Sequence, residues 1–333
     1  MAERLRVAVL GGGRSSEHEV SLRSADSVAA GLDPTRFDAV RITISREGVW
    51  TADDGSVVSL TPGQGGPLGC DVVFPALHGP FGEDGTVQGL LEMLAVAYVG
   101  SGVLGSAATM DKHVCKVILR SQGIDVARDL LVFPESDRAA AHAHIATALG
   151  YPVFVKPARL GSSIGISKVA DAAALEAALD LALAHDSKVL VEEFLGGEEV
   201  EVSVLGNDPT RLETSVVGQI GYDREWYDYE AKYAPGGSWL DAPAALPAGV
   251  AEQIQATARR AFAACACHGM ARIDFFRCAD RIVLNEINTI PGFTATSYYA
   301  RMFEASGVAY SDLLTRLIEL ALERFAAESS LLR

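Results

Sequence analysis

The chain has 333 residues, of which 49% are apolar and 21% charged, and its formal net charge at pH 7 is −15. This length and apolar content predict two or three domains with substantial cores, and the lack of any run of about 18 apolar residues argues against a membrane span. The acidic balance argues against a nucleic-acid partner, since proteins of that class usually carry a basic face, although it allows a phosphate ligand held locally.

The N-terminal segment and the cysteines indicate the compartment. Residues 1–13 contain an apolar run of only four residues before three glycines, which is too short for the core of a signal peptide. The chain has five cysteines, and an odd number fits reduced thiols that pack in a core. The spacing of Cys265 and Cys267 does not fit a zinc site. We therefore expect a cytoplasmic protein.

Two similar units follow one another in the first hundred residues, and each consists of a strand, a glycine-rich turn and a helix. Residues 6–10 form a β-type run that ends in three glycines, and a helical pattern follows Glu17. Residues 70–74 likewise lead through LHGPFGEDGT into a helix over 87–96. This alternation predicts a mostly parallel α/β domain over residues 1–108. The first turn, LGGGRSSE, lacks the third glycine of a dinucleotide-binding motif, and no P-loop motif occurs, so a nucleotide would need a different architecture.

The remainder of the chain reads as α+β. A helix is predicted from Thr109, with Asp111 and Lys112 in its first turn, and it stops at Gly123. The strand YPVFVKPA enters the loop RLGSSIG, and a further strand, KVLVEEF, follows. EVEVSVLG alternates polar and apolar residues as a half-exposed antiparallel strand would. Residues 222–239 are rich in aromatic, acidic and glycine residues, which predicts an ordered loop that closes over an active site.

Lysine is rare in this chain. Of 28 cationic side chains, the lysines are those at positions 112, 116, 156, 168, 188 and 232. Because a lysine ammonium is compact and flexible where a guanidinium is planar and rigid, a lysine in this background favours a functional site. Neutral drift on the surface is the alternative for each position.

Oxygen-bearing side chains share the faces of two neighbouring strands. Glu286 and Asn288 lie two residues apart on one strand, and Arg272 and Asp274 do so on the strand before it. Oxygen ligands suit Mg²⁺, which commonly takes one or two carboxylates and completes its shell with phosphate oxygens and water. The alternative is a polar cluster on an edge strand with satisfied hydrogen bonds.

The turn between these strands sets their register. If Asp274 lies opposite Glu286, we expect a turn with an odd number of residues, such as residues 279–281. A regular two-residue turn would place Asn285 opposite Asp274 unless a bulge restored the register.

Eight stretches, in matching order along almost the full length, resemble the D-alanine–D-alanine ligases of the ATP-grasp superfamily. They are GGRSSEHEVSL, ALHGPFGEDGT, ATMDK, FVKPARLGSSIGIS, EEFLGGEE, EAKY, ARIDFF and NEINTIPGFT. The resemblance implies an ATP-grasp fold in which two α+β subdomains, 109–195 and 196–333, enclose the nucleotide. Residues 1–108 would be the N-terminal substrate-binding α/β domain, and residues 222–239 the lid.

The resemblance also implies the nucleotide and metal sites. Two Mg²⁺ ions, with Mn²⁺ as an alternative, would bridge the ATP phosphates on Asp274, Glu286 and Asn288. The phosphates would also contact Lys112, Lys156 and Ser162. Adenine and ribose would lie against Glu192, Phe194, Leu195 and Glu199. A purely packing role is the alternative for Phe194 and Leu195.

The substrate residues follow from the same resemblance. Glu17 would bind the ammonium of the first D-alanine, with His78 beside it. Arg272 and the backbone N–H of Gly292 would stabilise the oxyanion, and Lys232 and Ser297 would bind the carboxylate of the second substrate. The alternatives are a helix-terminal carboxylate for Glu17 and a loop histidine bonded to backbone for His78.

Two tyrosines concern the choice of acceptor. Tyr233 in EAKY would bond to Ser162 and so reach Glu17, and its presence points to an amine acceptor. Tyr298 departs from the Ser-Met-Tyr-Pro that such ligases commonly carry after the shared motif. Its ring is expected to reshape the acceptor subsite, with core packing as the alternative.

The predicted activity is ATP-dependent joining of two D-alanines through D-alanyl phosphate, for peptidoglycan synthesis, by a homodimer that binds neither nucleic acid nor membrane. One alternative is a ligase with D-lactate, D-serine or another acceptor, or an antibiotic-resistance copy tolerant of D-cycloserine. Another is a catalytically inactive nucleotide-binding regulatory protein. D-Alanine-dependent release of ADP and phosphate separates an active D-alanine ligase from the inactive protein.

Overall fold

The computed structural model describes residues 4–222 and 237–331. The first sheet has the strand order β3-β2-β1-β4-β5. Its strands are β1 Leu5–Gly12, β2 Phe37–Ile44, β3 Trp50–Ala52, β4 Val72–Pro75 and β5 Ala97–Tyr98. Its neighbouring strands pair in parallel except for β3, which is antiparallel to β2. The predicted mostly parallel sheet of this region is therefore confirmed.

Helices α1 (His18–Gly31) and α2 (Thr86–Leu94) follow β1 and β4. Strand β1 is buried along six consecutive residues, as expected for a strand covered on both faces. Helix α1 approaches β1 closely, since a Cβ atom on Gly11 would lie 2.6 Å from the Cβ of Ala25. Glycine at this position thus allows the helix to pack on the strand.

Two short helices, α3 (Val103–Met110) and α4 (Lys112–Ser121), lead to the central sheet. The carboxylate of Asp111 accepts a hydrogen bond from the backbone N–H of Val114 at 3.0 Å. Asp111 is therefore the N-cap of α4 and not part of its first turn, because a short acceptor side chain satisfies an otherwise unpaired amide there.

The central sheet is antiparallel between all neighbouring strands, in the order β6-β9-β7-β8. Its strands are β6 Asp129–Val132, β7 Val153–Pro157, β8 Ser167–Val169 and β9 Val189–Glu193, with helices α5 Arg138–Ala148 and α6 Leu175–Leu183. Short 3-10 helices occur at Pro67–Gly69 and Ala172–Ala174.

The third sheet has the order β13-β12-β10-β14-β15, with β11 beside β10. Its strands are β10 Glu198–Gly206, β11 Glu213–Thr214, β12 Gly218–Tyr222, β13 Ser238–Asp241, β14 Gly269–Arg277 and β15 Ile282–Asn288. Helices α7 Val250–Ala264, α8 Tyr298–Ala305 and α9 Tyr310–Leu331 complete the described fold. No helix within 4–222 and 237–331 is long and apolar enough to cross a membrane.

The prediction of a half-exposed β10 is wrong. Glu201 and Ser203, on its polar face, are 3% and 0% exposed. Strand β10 lies inside the sheet between β12 and β14, with α7 packed on its apolar face. On the polar face, the Ser203 hydroxyl donates to the backbone oxygen of Tyr299 at 3.2 Å, in α8. The alternating sequence of β10 therefore belongs to a strand that is buried on both faces, one polar and one apolar.

The β14–β15 register agrees with the expected pairing but not with the expected turn. Asp274 lies opposite Glu286, and Arg272 lies opposite Asn288. The predicted odd-numbered turn is wrong, because Cys278 donates its backbone N–H to Arg281 at 2.9 Å across a two-residue turn. A bulge between Asp274 and Phe275 restores the expected register. Phe275 lies opposite Leu284 and Asp274 lies opposite Glu286, so Asn285 has no partner residue on β14.

One core connects the N-terminal sheet with the C-terminal helices. Phe293 is fully buried, with ring centroids 5.4 Å from Phe74 in β4, 5.5 Å from Tyr299 in α8 and 6.0 Å from Tyr310 in α9. These contacts fix the loop after β15 against the first domain, and this loop carries several predicted site residues.

Candidate active site

Two clefts meet at a shared wall. The first cleft lies between the central and third sheets, where its lining includes Lys156, Glu192 and Asp274. The second lies between the start of α1 and the loop after β15. Its lining includes Glu17, His78 and Gly292. Both clefts are lined by Gly161, Ser162, Arg272 and Glu286. A group bound in one cleft can therefore reach a group bound in the other.

Both predicted phosphate lysines lie in the first cleft. Lys112 donates from Nζ to the backbone oxygen of Leu160 at 2.7 Å, and the same atom lies 3.8 Å from Oε2 of Glu286. Lys156 contacts the carboxylate of Glu192 and lies 5.8 Å from the centre of the Phe154 ring. The lysines approach from different elements, α4 and β7, and face the same space.

Glu192 is a buried carboxylate held by two ammonium groups. Its Oε1 atom lies 2.7 Å from Nζ of Lys116, and its Oε2 atom contacts Lys156. Burial alone would raise the pKa of Glu192, but Lys116 and Lys156 outweigh it and lower the pKa to about 2. Glu192 is therefore ionised at neutral pH.

The other predicted adenine residues, Phe194, Leu195 and Glu199, also line the first cleft. The ring of Phe194 is 37% exposed and lies 6.0 Å from the ring of Phe154, while Nζ of Lys168 lies 4.4 Å from its centre. Glu199 accepts a hydrogen bond from the hydroxyl of Tyr222 at 2.9 Å. Leu195 is half-buried beside them. Apolar faces bordered by hydrogen-bonding groups suit a flat heterocycle.

The predicted metal ligands converge across β14 and β15. The side-chain amide of Asn288 donates to Oδ2 of Asp274 at 3.0 Å, and Glu286 lies on the same face opposite Asp274. No cluster of three His, Cys, Asp or Glu suited to a metal occurs in the described ranges. The set therefore offers two carboxylates and one amide, a hard-oxygen donor set that fits Mg²⁺ when phosphate oxygens supply further ligands.

Arg272 lies between two carboxylates in this cluster. It donates from Nε and Nη2 to the two oxygens of Asp274 at 2.8 and 2.7 Å, and its Nε lies 3.1 Å from Oε2 of Glu201. Glu201 was missed from the sequence because the alternation of β10 placed it on a predicted exposed face. With two partners, the guanidinium can keep one of them when the other binds a cation.

Glu17 and Ser162 join the second cleft to the glycine-rich loop. The hydroxyl of Ser162 donates to Oε1 of Glu17, and a Cβ on Gly79 would lie 2.7 Å from Oε2. Ser162 and Ser163 both have positive φ, 51° and 58°. Such backbone in non-glycine residues persists only where the surroundings determine it and is common at ligand-binding loops.

His78 is held by both ring nitrogens. Nδ1 lies 3.0 Å from the backbone oxygen of Ile290, and Nε2 lies 2.8 Å from the hydroxyl of Ser24. Since the carbonyl can only accept, Nδ1 carries the proton and Nε2 accepts from Ser24 in the neutral ring. Burial lowers the pKa of His78 despite the opposing charge of Glu17. Its contacts attach the second-cleft wall to the loop after β15.

Glu83 is a second residue that sequence reasoning missed. It accepts the backbone N–H groups of Gly79 at 2.7 Å and Ile290 at 3.3 Å. Burial and the charge of Glu17 raise the pKa of Glu83 to about 8. A carboxylate within the glycine-rich stretch LHGPFGEDGT was the available signal, because such loops present many backbone donors.

The remaining predicted substrate residues that the structure describes, Gly292, Ser297 and Tyr298, line the second cleft. The hydroxyl of Ser297 accepts from the backbone N–H of Thr294 at 3.0 Å, and a Cβ on Gly292 would lie 3.4 Å from this oxygen. Tyr298 lines the cleft and also packs beside Met302, with its hydroxyl 2.8 Å from that of Ser238. Lys232, Tyr233 and residues 223–236 of the predicted lid lie outside the described residues.

Two family models match this chain. Residues 118–319 match the model described as D-ala D-ala ligase C-terminus, and residues 6–66 and 62–101 match the model described as D-ala D-ala ligase N-terminus. The D-alanine--D-alanine ligase of Deinococcus radiodurans is 48% identical over 341 residues, covering 96% of this chain and 98% of that protein. The D-alanine--D-alanine ligase A of Bradyrhizobium diazoefficiens is 45% identical and covers 100% of this chain and 99% of its own.

Solved structures give the same result. The D-alanine-D-alanine ligase from Coxiella burnetii superposes with a TM-score of 0.90 at 34% identity, covering 100% of this chain and 98% of that one. The VanG D-Ala:D-Ser ligase from Enterococcus faecalis superposes with a TM-score of 0.86 at 36% identity, covering 96% and 100%. The chain therefore belongs to the D-alanine–D-alanine ligase family and has the ATP-grasp fold of that family.

Proposed function

We propose that this chain joins two D-alanines to D-alanyl-D-alanine, with conversion of ATP to ADP and phosphate, for peptidoglycan precursor synthesis. The observation that carries the proposal is the wall shared by the two clefts, where Ser162, Arg272 and Glu286 face both. A nucleotide in the first cleft and an amino acid in the second would meet there, as transfer of a phosphoryl group to a carboxylate requires.

The first cleft is the proposed nucleotide site. Its adenine end would be formed by Glu192, Phe194, Leu195 and Glu199. Lys112, Lys156 and the GSS loop at Ser162 would contact the phosphates. Asp274, Glu286 and Asn288 would hold two Mg²⁺ ions, with Mn²⁺ as the alternative, and the bound ions would neutralise phosphate charge. The oxygen donor set described above supports this assignment.

The second cleft is the proposed D-alanine site. Glu17 would bind the ammonium of the first D-alanine, while His78 keeps the adjoining loop in place through its bonds to Ser24 and Ile290. An oxygen of the D-alanine carboxylate then attacks the γ-phosphorus, and ADP leaves. Lys112 and Lys156 stabilise the charge on the transferring group, because positioning and electrostatics supply most of the catalysis in such transfers.

The acyl phosphate then reacts with the second D-alanine. The amine of this second D-alanine attacks the carbonyl carbon of the acyl phosphate, a tetrahedral oxyanion forms, and phosphate leaves to give the dipeptide. Arg272 and the backbone N–H of Gly292 would stabilise that oxyanion. Ser297 and Lys232 would bind the carboxylate of the second substrate, and Tyr298 would border it. Tyr233 on the lid would bond to Ser162, whose hydroxyl donates to Glu17, and would favour the amine acceptor.

The remaining assignments concern organisation. We divide the chain into a substrate-binding domain (1–108), a central subdomain (109–195) and a C-terminal subdomain with the lid (196–333). A second copy is the expected partner, and the 64% exposed Met93 on α2 and 70% exposed Leu104 on α3 offer apolar surface to it. Free cysteines fit a reducing compartment such as the cytoplasm.

The test is release of ADP and phosphate by the purified chain with ATP, Mg²⁺ and D-alanine. We expect equal amounts of ADP and D-alanyl-D-alanine, and no release with L-alanine. A parallel competition offers equal D-alanine with D-serine or D-lactate, and the dipeptide D-alanyl-D-alanine should predominate. The proposal would be contradicted by ADP release that does not depend on D-alanine. It would also be contradicted if the main product joined D-alanine to D-serine or D-lactate.

A further inference from the structure

Lys116 is a buried lysine for which the proposed reaction has no role. It lies on α4 and is 1% exposed, with Nζ 2.7 Å from Oε1 of Glu192. Glu192 and Lys156 line the first cleft, whereas Lys116 lies behind Glu192 and is not among the described lining residues. It therefore touches a site residue without facing the ligand space.

The cluster contains two lysines and one carboxylate, and burial lowers the pKa of Lys116 although the charge of Glu192 opposes this. Lys116 and Lys156 both contact the carboxylate of Glu192, which is 3% exposed. One carboxylate can neutralise only one of the two ammonium groups. Burying a charge is costly unless a partner compensates it, so an excess ammonium is unfavourable until a nucleotide binds. A bound polyphosphate supplies the missing negative charge.

Lys156 is the lysine that can change partner. Its side chain borders the first cleft, whereas that of Lys116 is enclosed behind the carboxylate. If Lys156 moved to a phosphate with no second lysine present, Glu192 would remain as an unpaired buried carboxylate. The cost of that state would oppose nucleotide binding.

We propose that Lys116 is a positioning residue that keeps Glu192 paired while Lys156 moves from this carboxylate to the phosphates of ATP. The proposal rests on the nucleotide role assigned to the first cleft. Lys116 makes the exchange of partners by Lys156 favourable, because Glu192 keeps one ammonium partner throughout and the second ammonium gains a phosphate partner on binding. It also keeps Glu192 ionised and oriented at the adenine end of the cleft.

The first variant is Lys116→Met, which keeps much of the buried aliphatic volume and removes the charge. We expect the KM for ATP to rise about 10- to 100-fold, because Lys156 would then be needed on Glu192 to compensate its buried charge. The KM for D-alanine should change less than about twofold, since distant sites usually behave independently. Binding of a non-hydrolysable ATP analogue should weaken by the same factor as the KM.

The decisive comparison removes Glu192 as well. In a Glu192→Gln background no carboxylate retains Lys156, so adding Lys116→Met should leave the affinity for the ATP analogue nearly unchanged. If Lys116 merely attracts the nucleotide through its charge, the loss would be similar in both backgrounds. That result, or equal rises of both KM values in the single variant, would overturn the proposal.

Lys188→Met serves as the matched control. Lys188 also forms a half-buried ion pair beside α4, 2.8 Å from Asp111, and its loss should leave the affinity for the ATP analogue unchanged.

Circular dichroism establishes whether each variant folds. If Lys116→Met alone does not fold, Lys116→Arg and the double variant carry the test, and the arginine variant should retain near-normal affinity. Wild-type ADP release tests the proposed function separately, since analogue binding needs no turnover.

Discussion

Replacing Arg272 with methionine should lower the kcat for dipeptide synthesis about 10²- to 10³-fold, the usual cost of losing one oxyanion donor. The guanidinium faces both clefts. It is held by Asp274 on its own strand, β14, and by Glu201 on the neighbouring strand β10. It is thus fixed before the reaction and need not reorganise as the oxyanion forms. Steady-state kinetics with saturating ATP and D-alanine measure the effect.

Two further variants separate catalysis from folding. Arg272→Lys keeps the positive charge between the two carboxylates but loses the planar guanidinium, so it should fold normally and still show a reduced kcat. Arg277→Met removes a guanidinium on the same strand that pairs with Glu198, and should leave kcat within about twofold, as for most surface changes. A folded Arg272→Met enzyme with nearly wild-type kcat would exclude the proposed role of Arg272.

Replacing Phe293 with alanine should lower the free energy of unfolding by about 3–5 kcal/mol, the usual range for a buried phenylalanine. The ring is 0% exposed and contacts aromatic rings from β4, α8 and α9. The cavity would lie between the first domain and the loop that holds Gly292. Urea unfolding followed by tryptophan fluorescence measures the change.

Phe133→Ala is the comparison for this variant. Phe133 is 41% exposed, and its truncation should cost about 0.5 kcal/mol or less, as for surface substitutions in general. Because Gly292 directly precedes Phe293, the Phe293 variant should also lose activity at temperatures where it remains folded. Equal unfolding free energies for the two variants would contradict the role of Phe293 in joining β4 to α8 and α9.

The larger features of the fold could be predicted because their signals are local. The alternation of strand, glycine turn and helix in the first hundred residues indicated a mostly parallel sheet, which the structure confirms. The rarity of lysine drew attention to Lys112 and Lys156, and both lie in the first cleft. The two-residue period of a strand placed Arg272 with Asp274 on one face of β14 and Glu286 with Asn288 on one face of β15, and these residues lie opposite each other in the structure.

The features that were missed depend on tertiary contacts. The bulge that leaves Asn285 unpaired depends on how β14 and β15 meet, and no local pattern distinguishes it from an odd-numbered turn. Glu201 looks like an exposed residue of an alternating strand until Arg272 of β14 pairs with it. Lys116 carried the same rarity signal as the other lysines, but a buried partner such as Glu192 is visible only when α4 and β9 pack together.

Transfer of oxygen between the substrates tests the central claim most directly. The chain is incubated with ATP, Mg²⁺ and D-alanine labelled with ¹⁸O in its carboxylate, and the released phosphate is examined by mass spectrometry. Attack of the carboxylate on the γ-phosphorus leaves its oxygen on phosphorus when the amine displaces phosphate. We therefore expect one ¹⁸O atom in each phosphate released with D-alanyl-D-alanine. Formation of the dipeptide with unlabelled phosphate would contradict the acyl phosphate route and the roles assigned to the shared wall of the two clefts.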